Sequence, residues 1–231
     1  MTSSPDVDPI AAIKASPIQF CLYREAHKGL RHALFQLTVG VGSADCTNAD
    51  ARAAVVDDVQ NVLAVLNAHH EHEDVFIKPL IEAHAPELAS IVDTGHMEIE
   101  ADLLEIEVLA DKLAGCAGGA AVVAGLELYA YLCLFTASYL SHLALEEGGV
   151  MITLRAKVGL EELFGVLVAL LSSMSPSTMC AFLRVTMPAL NAEERASLLR
   201  GMRAAAPPDV FDLFRSAAEA ALGPEDHGVA T

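Results

Sequence analysis

The stretch His69-His-Glu-His-Glu-Asp74 packs three imidazoles and three carboxylates into six consecutive residues. Residues four apart share one face of a helix, so His69 and Glu73 can present a ring nitrogen and a carboxylate oxygen to the same point. That pair is half of a metal site. The spacing recurs at His96 and Glu100 and again at His142 and Glu146, each time inside a stretch that otherwise reads as apolar helix. Taken singly, each pair has a plainer reading, a buried histidine satisfied by a carboxylate or, for Glu100, an acid on a solvated face. Taken together, three copies of one donor pair point to a metal.

The segments that must carry these residues read as helices. With 53% hydrophobic residues, 5% aromatic residues and no Trp, the composition favours helices over sheets. Residues 1–15 read as a loose leader. Ser16-Pro17 reads as an N-cap with proline at the first helical position, opening a helix to about Val39, and Gly40, Gly42, Ser43 and Asn48 mark a loop. A second helix, from about Asp50 to Ala83, should kink or end early at Pro79. A third runs from Pro86 to about Ala114 with a bend near Gly95. A fourth runs from about Ala121 to Glu147, its end loosened by Gly148-Gly149. The chain thus divides into the leader, a four-helix unit over 16–157, a C-terminal helical extension over 158–222 and a tail over 223–231. In the extension, Ser172 to Ser177 reads as a linker, Asn191 with Glu194 as a capping box, and Pro207-Pro208 as the start of a last amphipathic helix.

Geometry then tests the metal idea. In an antiparallel helical hairpin, residues equidistant from the turn lie at one height. The midpoint of His27 and His69 is Asn48, that of Glu73 and His96 falls between His84 and Ala85, and that of His96 and His142 is Gly119. All three fall on expected turns. An all-α, up-down-up-down bundle would therefore bring His27, His69, Glu73, His96, Glu100, His142 and Glu146 to one level, facing inward with the apolar stripes. The two halves mirror each other, a lone histidine followed by His-x-x-x-Glu, which suits two metals.

These residues carry a resemblance. His27-Lys-Gly-Leu-Arg, His69-His-Glu-His-Glu-Asp-Val-Phe-Ile-Lys-Pro79, the isolated His96 and His142-Leu-Ala-Leu-Glu-Glu147 resemble the hemerythrin family in its bacterial HHE-domain branch, over residues 17–150. The tail, in Pro188-Ala-Leu-Asn-Ala-Glu-Glu-Arg and Gly201-Met-Arg-Ala-Ala-Ala-Pro-Pro, is similar to the helical extension that many such proteins carry. The resemblance implies two iron ions, oxo- or hydroxo-bridged, in a left-handed four-helix bundle. Glu73 and Glu146 would bridge, His27 and His69 would ligate one iron, and His96 and His142 the other. Where oxygen-carrying members offer a second histidine on the third helix, this chain has Glu100. A hard carboxylate there would favour the ferric state and oxygen activation over reversible binding. Ligand type alone does not separate iron from manganese or zinc.

Around these seven, His70 and His72 flank the ligand face and are expected outside it, His32 points elsewhere, and His84 and His227 read as loop residues. Asp74 and Glu147 read as surface acids or supports for a ligand. Ser138 and Tyr139 lie one turn before His142, where the tyrosine either packs or faces the metal. The expected function is a di-iron oxidase, oxygenase or catalase-like enzyme acting on O2 or peroxide, with an electron donor as a further partner. The alternatives are a non-catalytic sensor or scavenger of O2, nitric oxide or iron, and a metal-free helical interaction module. A net charge of -17 argues against nucleic acid or anionic membrane as partner. The apolar run over 117–140, with Glu127 as its one charge, reads as a bundle-core helix rather than a membrane span. Five cysteines without C-x-x-C spacing, and an N-terminus lacking a basic and apolar signal, fit a cytoplasmic protein, expected as monomer or homodimer.

Overall fold

A computed structural model describes residues 20–222, and among them every regular element is helical. The leader, the Ser16-Pro17 cap, the tail and His227 lie outside the described residues. Residues 20–23 are not helical, unlike the expected start of the first helix. Cys21, Leu22 and Tyr23 instead plug an apolar cluster, and the Phe20 carbonyl accepts a hydrogen bond from Arg155.

Helix α1 (Arg24–Ser43) continues past the expected loop glycines. A Cβ at Gly42 would meet the Tyr129 ring at 2.7 Å, so this glycine serves close packing rather than a turn. The Asn48 side chain accepts from the amides of Asp50 and Ala51 and starts α2 (Ala49–His72). A π-helical turn (Glu73–Ile77) follows, in which the Lys78 amide bonds the Glu73 carbonyl, and α3 (Lys78–His84) resumes the α-helix. Pro79 therefore falls in the first turn of α3, where its missing N–H breaks no ladder. Helix α4 (Pro86–Ala114) runs without interruption at Gly95. Helix α5 (Gly118–Leu145) passes through a second π turn (Glu146–Val150) into α6 (Met151–Lys157), so Gly148-Gly149 widens the helix instead of ending it. The extension holds α7 (Leu160–Ser173), α8 (Pro176–Thr186), a 3-10 turn (Met187–Ala189), α9 (Ala192–Ala205) and α10 (Pro208–Ala221). The Asn191–Glu194 capping box forms as expected.

Helix α1 packs on α2 and α5, and α4 packs on the same two. The inward stripe of α4, Leu88, Val92, His96, Ile99, Leu103, Ile106, Ala110 and Leu113, steps by threes and fours, as a helix facing a core must. Two apolar clusters result. The larger includes Leu30, Leu34, Leu66, Ile99, Leu103, Tyr139 and Leu143; the smaller includes Tyr23, Ile77, Val92 and Val150. On each long helix, the histidine or glutamate of interest falls between a member of one cluster and a member of the other. A third cluster holds the extension together through Met179, Leu183, Met187, Met202 and Phe214. Among the described residues, one continuous helical run, Gly118–Lys157, is long and apolar enough to cross a membrane, and it carries His142 and Glu146.

Candidate metal centre

The polar layer between the two clusters draws on the start of α1, the end of α2, the first half of α4 and the end of α5. His27, Glu73, His96, His142 and Glu146 are buried and His69 is half-buried. Glu73 aims one oxygen at His27 and His69, with Oε1 lying 3.7 and 3.1 Å from their Nε2 atoms. Its other oxygen, Oε2, lies 3.6 Å from Nε2 of His96. Glu146 does the converse, with Oε1 3.5 Å from His96 and 3.2 Å from His142, and Oε2 3.4 Å from His27. Each carboxylate thus spans two imidazole pairs. His27, His69, Glu73 and Glu146 form one group able to hold a cation, and His96, His142 and Glu146 form a second.

These donors converge at ion-pair distances without hydrogen-bonding one another. Nε2 of all four histidines, both oxygens of Glu73 and Oε2 of Glu146 are buried without a hydrogen-bond partner. An orphaned buried polar atom costs about 1–3 kcal/mol. Seven at one place, only partly offset by mutual attraction, make an arrangement that a cation would satisfy. The donor set, imidazole nitrogen and carboxylate oxygen, suits a first-row transition metal.

Electrostatics agrees. Burial, the largest effect on His27, works against its charge, yet contacts with Glu147 and Glu73 and the charge of Glu146 raise its pKa to about 9. Burial likewise opposes the charge on His96, but Glu146 and Glu73 raise it to about 10. Burial would lift both carboxylates. The charge of His69 and the contacts of His27, His69 and His96 hold Glu73 well below its ordinary range. Glu146, further lifted by Glu73, is brought to about 2 by His142 and His96. Without metal, protons on His27 and His96 would compensate the two buried carboxylates.

The far sides of two ligand rings are fixed as well. Nδ1 of His27 lies 2.9 Å from Glu147, which also accepts from Arg31 at 2.7 Å. Nδ1 of His96 lies 3.1 Å from Asp74. The acid after each bridging glutamate therefore orients the lone histidine of the other half, the support role left open for Asp74 and Glu147.

Glu100 requires correction. Expected as the seventh donor, it is exposed and joins neither group. The α4 stripe passes from His96 to Ile99, a three-residue step, so a residue four on is turned about 100° from Ile99. The converging set is four histidines and two glutamates.

Three residues stand out that sequence reasoning had left aside. His70 is buried, its ring centroid 5.0 Å from that of His96 and 6.3 Å from that of His142. Its Nε2 lies 3.2 Å from the Tyr139 hydroxyl. Burial, followed by the charge of His69, drives its pKa down to about 3, so the ring is neutral. Tyr139 therefore faces the site through His70. Tyr23 packs its ring 5.1 Å from His27; its place one turn before His27 was the available signal. A Cβ at Gly95 would meet Nδ1 of His142 at 2.6 Å, so the glycine beside His96 makes room for a ligand ring. His72 bonds the Ala68 carbonyl, His32 and His84 are half-buried outside the layer, and Ser138 is exposed.

No protein-family model, no curated protein and no solved structure matches this chain.

Proposed function

We propose that the chain is a hemerythrin-like, non-haem di-iron protein, an up-down-up-down four-helix bundle with a C-terminal helical extension, that binds O2 or peroxide and reduces or activates it. The observation that carries this reading is the split of each carboxylate. One oxygen of Glu73 faces the His27/His69 pair and the other faces His96, while Glu146 divides itself the opposite way. Meeting at one layer of a helix start and a helix end from successive long helices supports alternating directions.

Each position would have two imidazole nitrogens and two carboxylate oxygens. Four donors would close a tetrahedral zinc site but would leave two positions open on an octahedral iron or manganese, and the redox reading takes the second case. Two irons held there would supply electrons to one small molecule from adjacent positions. The protein's own part is binding, orientation and exclusion of water. Asp74 and Glu147 fix the rings of His96 and His27, and the apolar clusters above and below the layer keep water away. With Glu100 on the outside, the third-helix carboxylate no longer argues for activation over reversible binding, and turnover must decide. Iron content after anaerobic loading, with the optical spectrum on adding azide or peroxide, tests the centre. Catalytic loss of peroxide or O2 supports the enzyme, whereas a stable, reversible complex without turnover opposes it.

A second reading, a sensor or scavenger of O2, nitric oxide or iron, is favoured by two contacts. The extension seats Thr186 against Gly29, two residues from His27, and pairs Glu194 with Lys28. A chain that takes up no metal would leave the helical interaction module.

A further inference from the structure

The two halves of the metal layer correspond residue by residue. His27 matches His96, His69 matches His142, Glu73 matches Glu146, and each glutamate opens a π turn. The correspondence fails around the second histidine of each half. The residue after His142 is Leu143 and the residue three before His69 is Leu66, both in the larger apolar cluster. Their counterparts are His70 and Tyr139, equally buried and bonded to each other at 3.2 Å. An imidazole and a phenol stand on one side where leucines stand on the other.

Among the described residues, His70 is the one hydrogen-bond partner recorded for the Tyr139 hydroxyl. Donation of the phenol proton to Nε2 of His70 gives that proton an acceptor, whereas the reverse direction would leave both the O–H and Nδ1 unpaired. An imidazole that accepts at Nε2 carries its proton on Nδ1. Nδ1 is buried without a partner, so the pair leaves a fixed N–H donor without an acceptor, on a ring whose nearest imidazole is His96 at 5.0 Å, ahead of His69 at 5.6 Å and His142 at 6.3 Å. Hydrogen-bond donors left over in this way mark a place for an acceptor ligand. Tyr23 also has a buried hydroxyl without a partner, but it lies against His27, and the charges bearing on it are those of Glu146 and Glu73.

We propose that a small anion of two or three atoms binds on the His96/His142 side of the centre, with its acceptor atom held by the Nδ1–H of His70, whose tautomer Tyr139 sets. The proposal rests on the dinuclear metal reading and adds to it the side on which the exogenous ligand sits and the residue that holds it. His70 would be a ligand-binding residue and Tyr139 a positioning residue.

The test uses the full chain, loaded anaerobically with Fe(II), oxidised in air and titrated with sodium azide while the optical spectrum is followed. Iron content is measured on each sample. His70→Leu, which installs the residue of the matching position, should keep two irons and weaken azide about tenfold or more, the worth of a hydrogen bond to a charged group. Tyr139→Phe should keep two irons and weaken azide by a smaller factor, since His70 remains but its tautomer is no longer set. Tyr23→Phe should leave azide affinity unchanged. Unaltered affinity in an iron-replete His70→Leu variant, or a loss confined to Tyr23→Phe, overturns the proposal, as does a two-iron wild type that does not bind azide. If His70→Leu does not fold or loses iron, Tyr139→Phe decides alone, and unaltered affinity there overturns the proposal. A wild type that takes up no iron sinks the dinuclear reading itself, which the iron measurement separates from failure of this proposal alone.

Discussion

Glu73 and Glu146 each face both imidazole pairs, so neither belongs to one position alone, whereas His69 and His142 each face a single carboxylate. The consequence is an unequal loss on mutation. Glu73→Ala or Glu146→Ala should abolish uptake at both positions, leaving little metal by elemental analysis. His69→Ala or His142→Ala should leave about one equivalent, since each removes one of the four donors of one position. Glu100→Gln should change metal content not at all; a fall would return that acid to the centre. The rule that brings residues four apart to one point held for His69 with Glu73 and for His142 with Glu146, where the π turn begins at the glutamate. It misplaced Glu100 because the buried stripe of α4 takes a three-residue step after His96, a phase that spacing alone does not reveal. His70 was hidden for the opposite reason. It sits one residue from a ligand, and only the packed position of α5, which brings Tyr139 to it, distinguishes it from a flanking surface histidine.

At the scale of the helices, the features that sequence patterns read as weaknesses turn out to be fittings around the site. Gly95, Pro79 and Gly148-Gly149 all suggested bends or ends, because a glycine or proline within a helix ordinarily lowers its stability. Helix α4 passes straight through Gly95, and the proline and the glycine pair lie in or just after π turns that start at Glu73 and Glu146. A π turn shifts the helix phase by widening one turn, so the glutamate points inward while the next α-helical segment packs by a new stripe. Such a requirement is not written in propensities, whereas the extent of α4 from Pro86 to Ala114 was legible. Gly95→Ala gives a test with opposed expectations. Helix propensity alone would stabilise α4 by roughly 0.5–1 kcal/mol. The added Cβ would lie 2.6 Å from Nδ1 of His142, and forcing a ring aside in a packed core costs about 1–3 kcal/mol. The expected outcome is net destabilisation in urea unfolding, together with metal loss at the His96/His142 position. A more stable variant with full metal content would show that the ring has room to spare.

Across the whole molecule, protons and a metal would compete for the same buried layer, and that competition would set how stability responds to pH. In the metal-free chain, His27 and His96 are raised from the ordinary 6.5 to about 9 and about 10. The stability they contribute is fully present below pH 6.5 and is lost as pH rises through those values. Glu146, lowered from 4.5 to about 2, contributes stability that is present above pH 4.5 and lost as pH falls through about 2. The metal-free protein should therefore be most stable between about pH 4.5 and 6.5. Metal binding must expel the two imidazolium protons, so affinity climbs with pH over the window in which the metal-free fold weakens, by up to roughly a hundredfold per pH unit while both protons are bound. Because a ligand stabilises by its concentration relative to its dissociation constant, the two effects add. The melting temperature gained on metal loading should be larger at pH 8.5 than at pH 6, and uptake in weakly buffered solution near pH 7 should release close to two protons per chain. Calorimetric melts of chelator-treated and loaded protein at both pH values, with proton release followed in the same buffer series, check both halves. A gain that shrinks toward alkaline pH, or uptake without proton release, would mean that His27 and His96 are already neutral in the metal-free fold and that the buried carboxylates are compensated some other way.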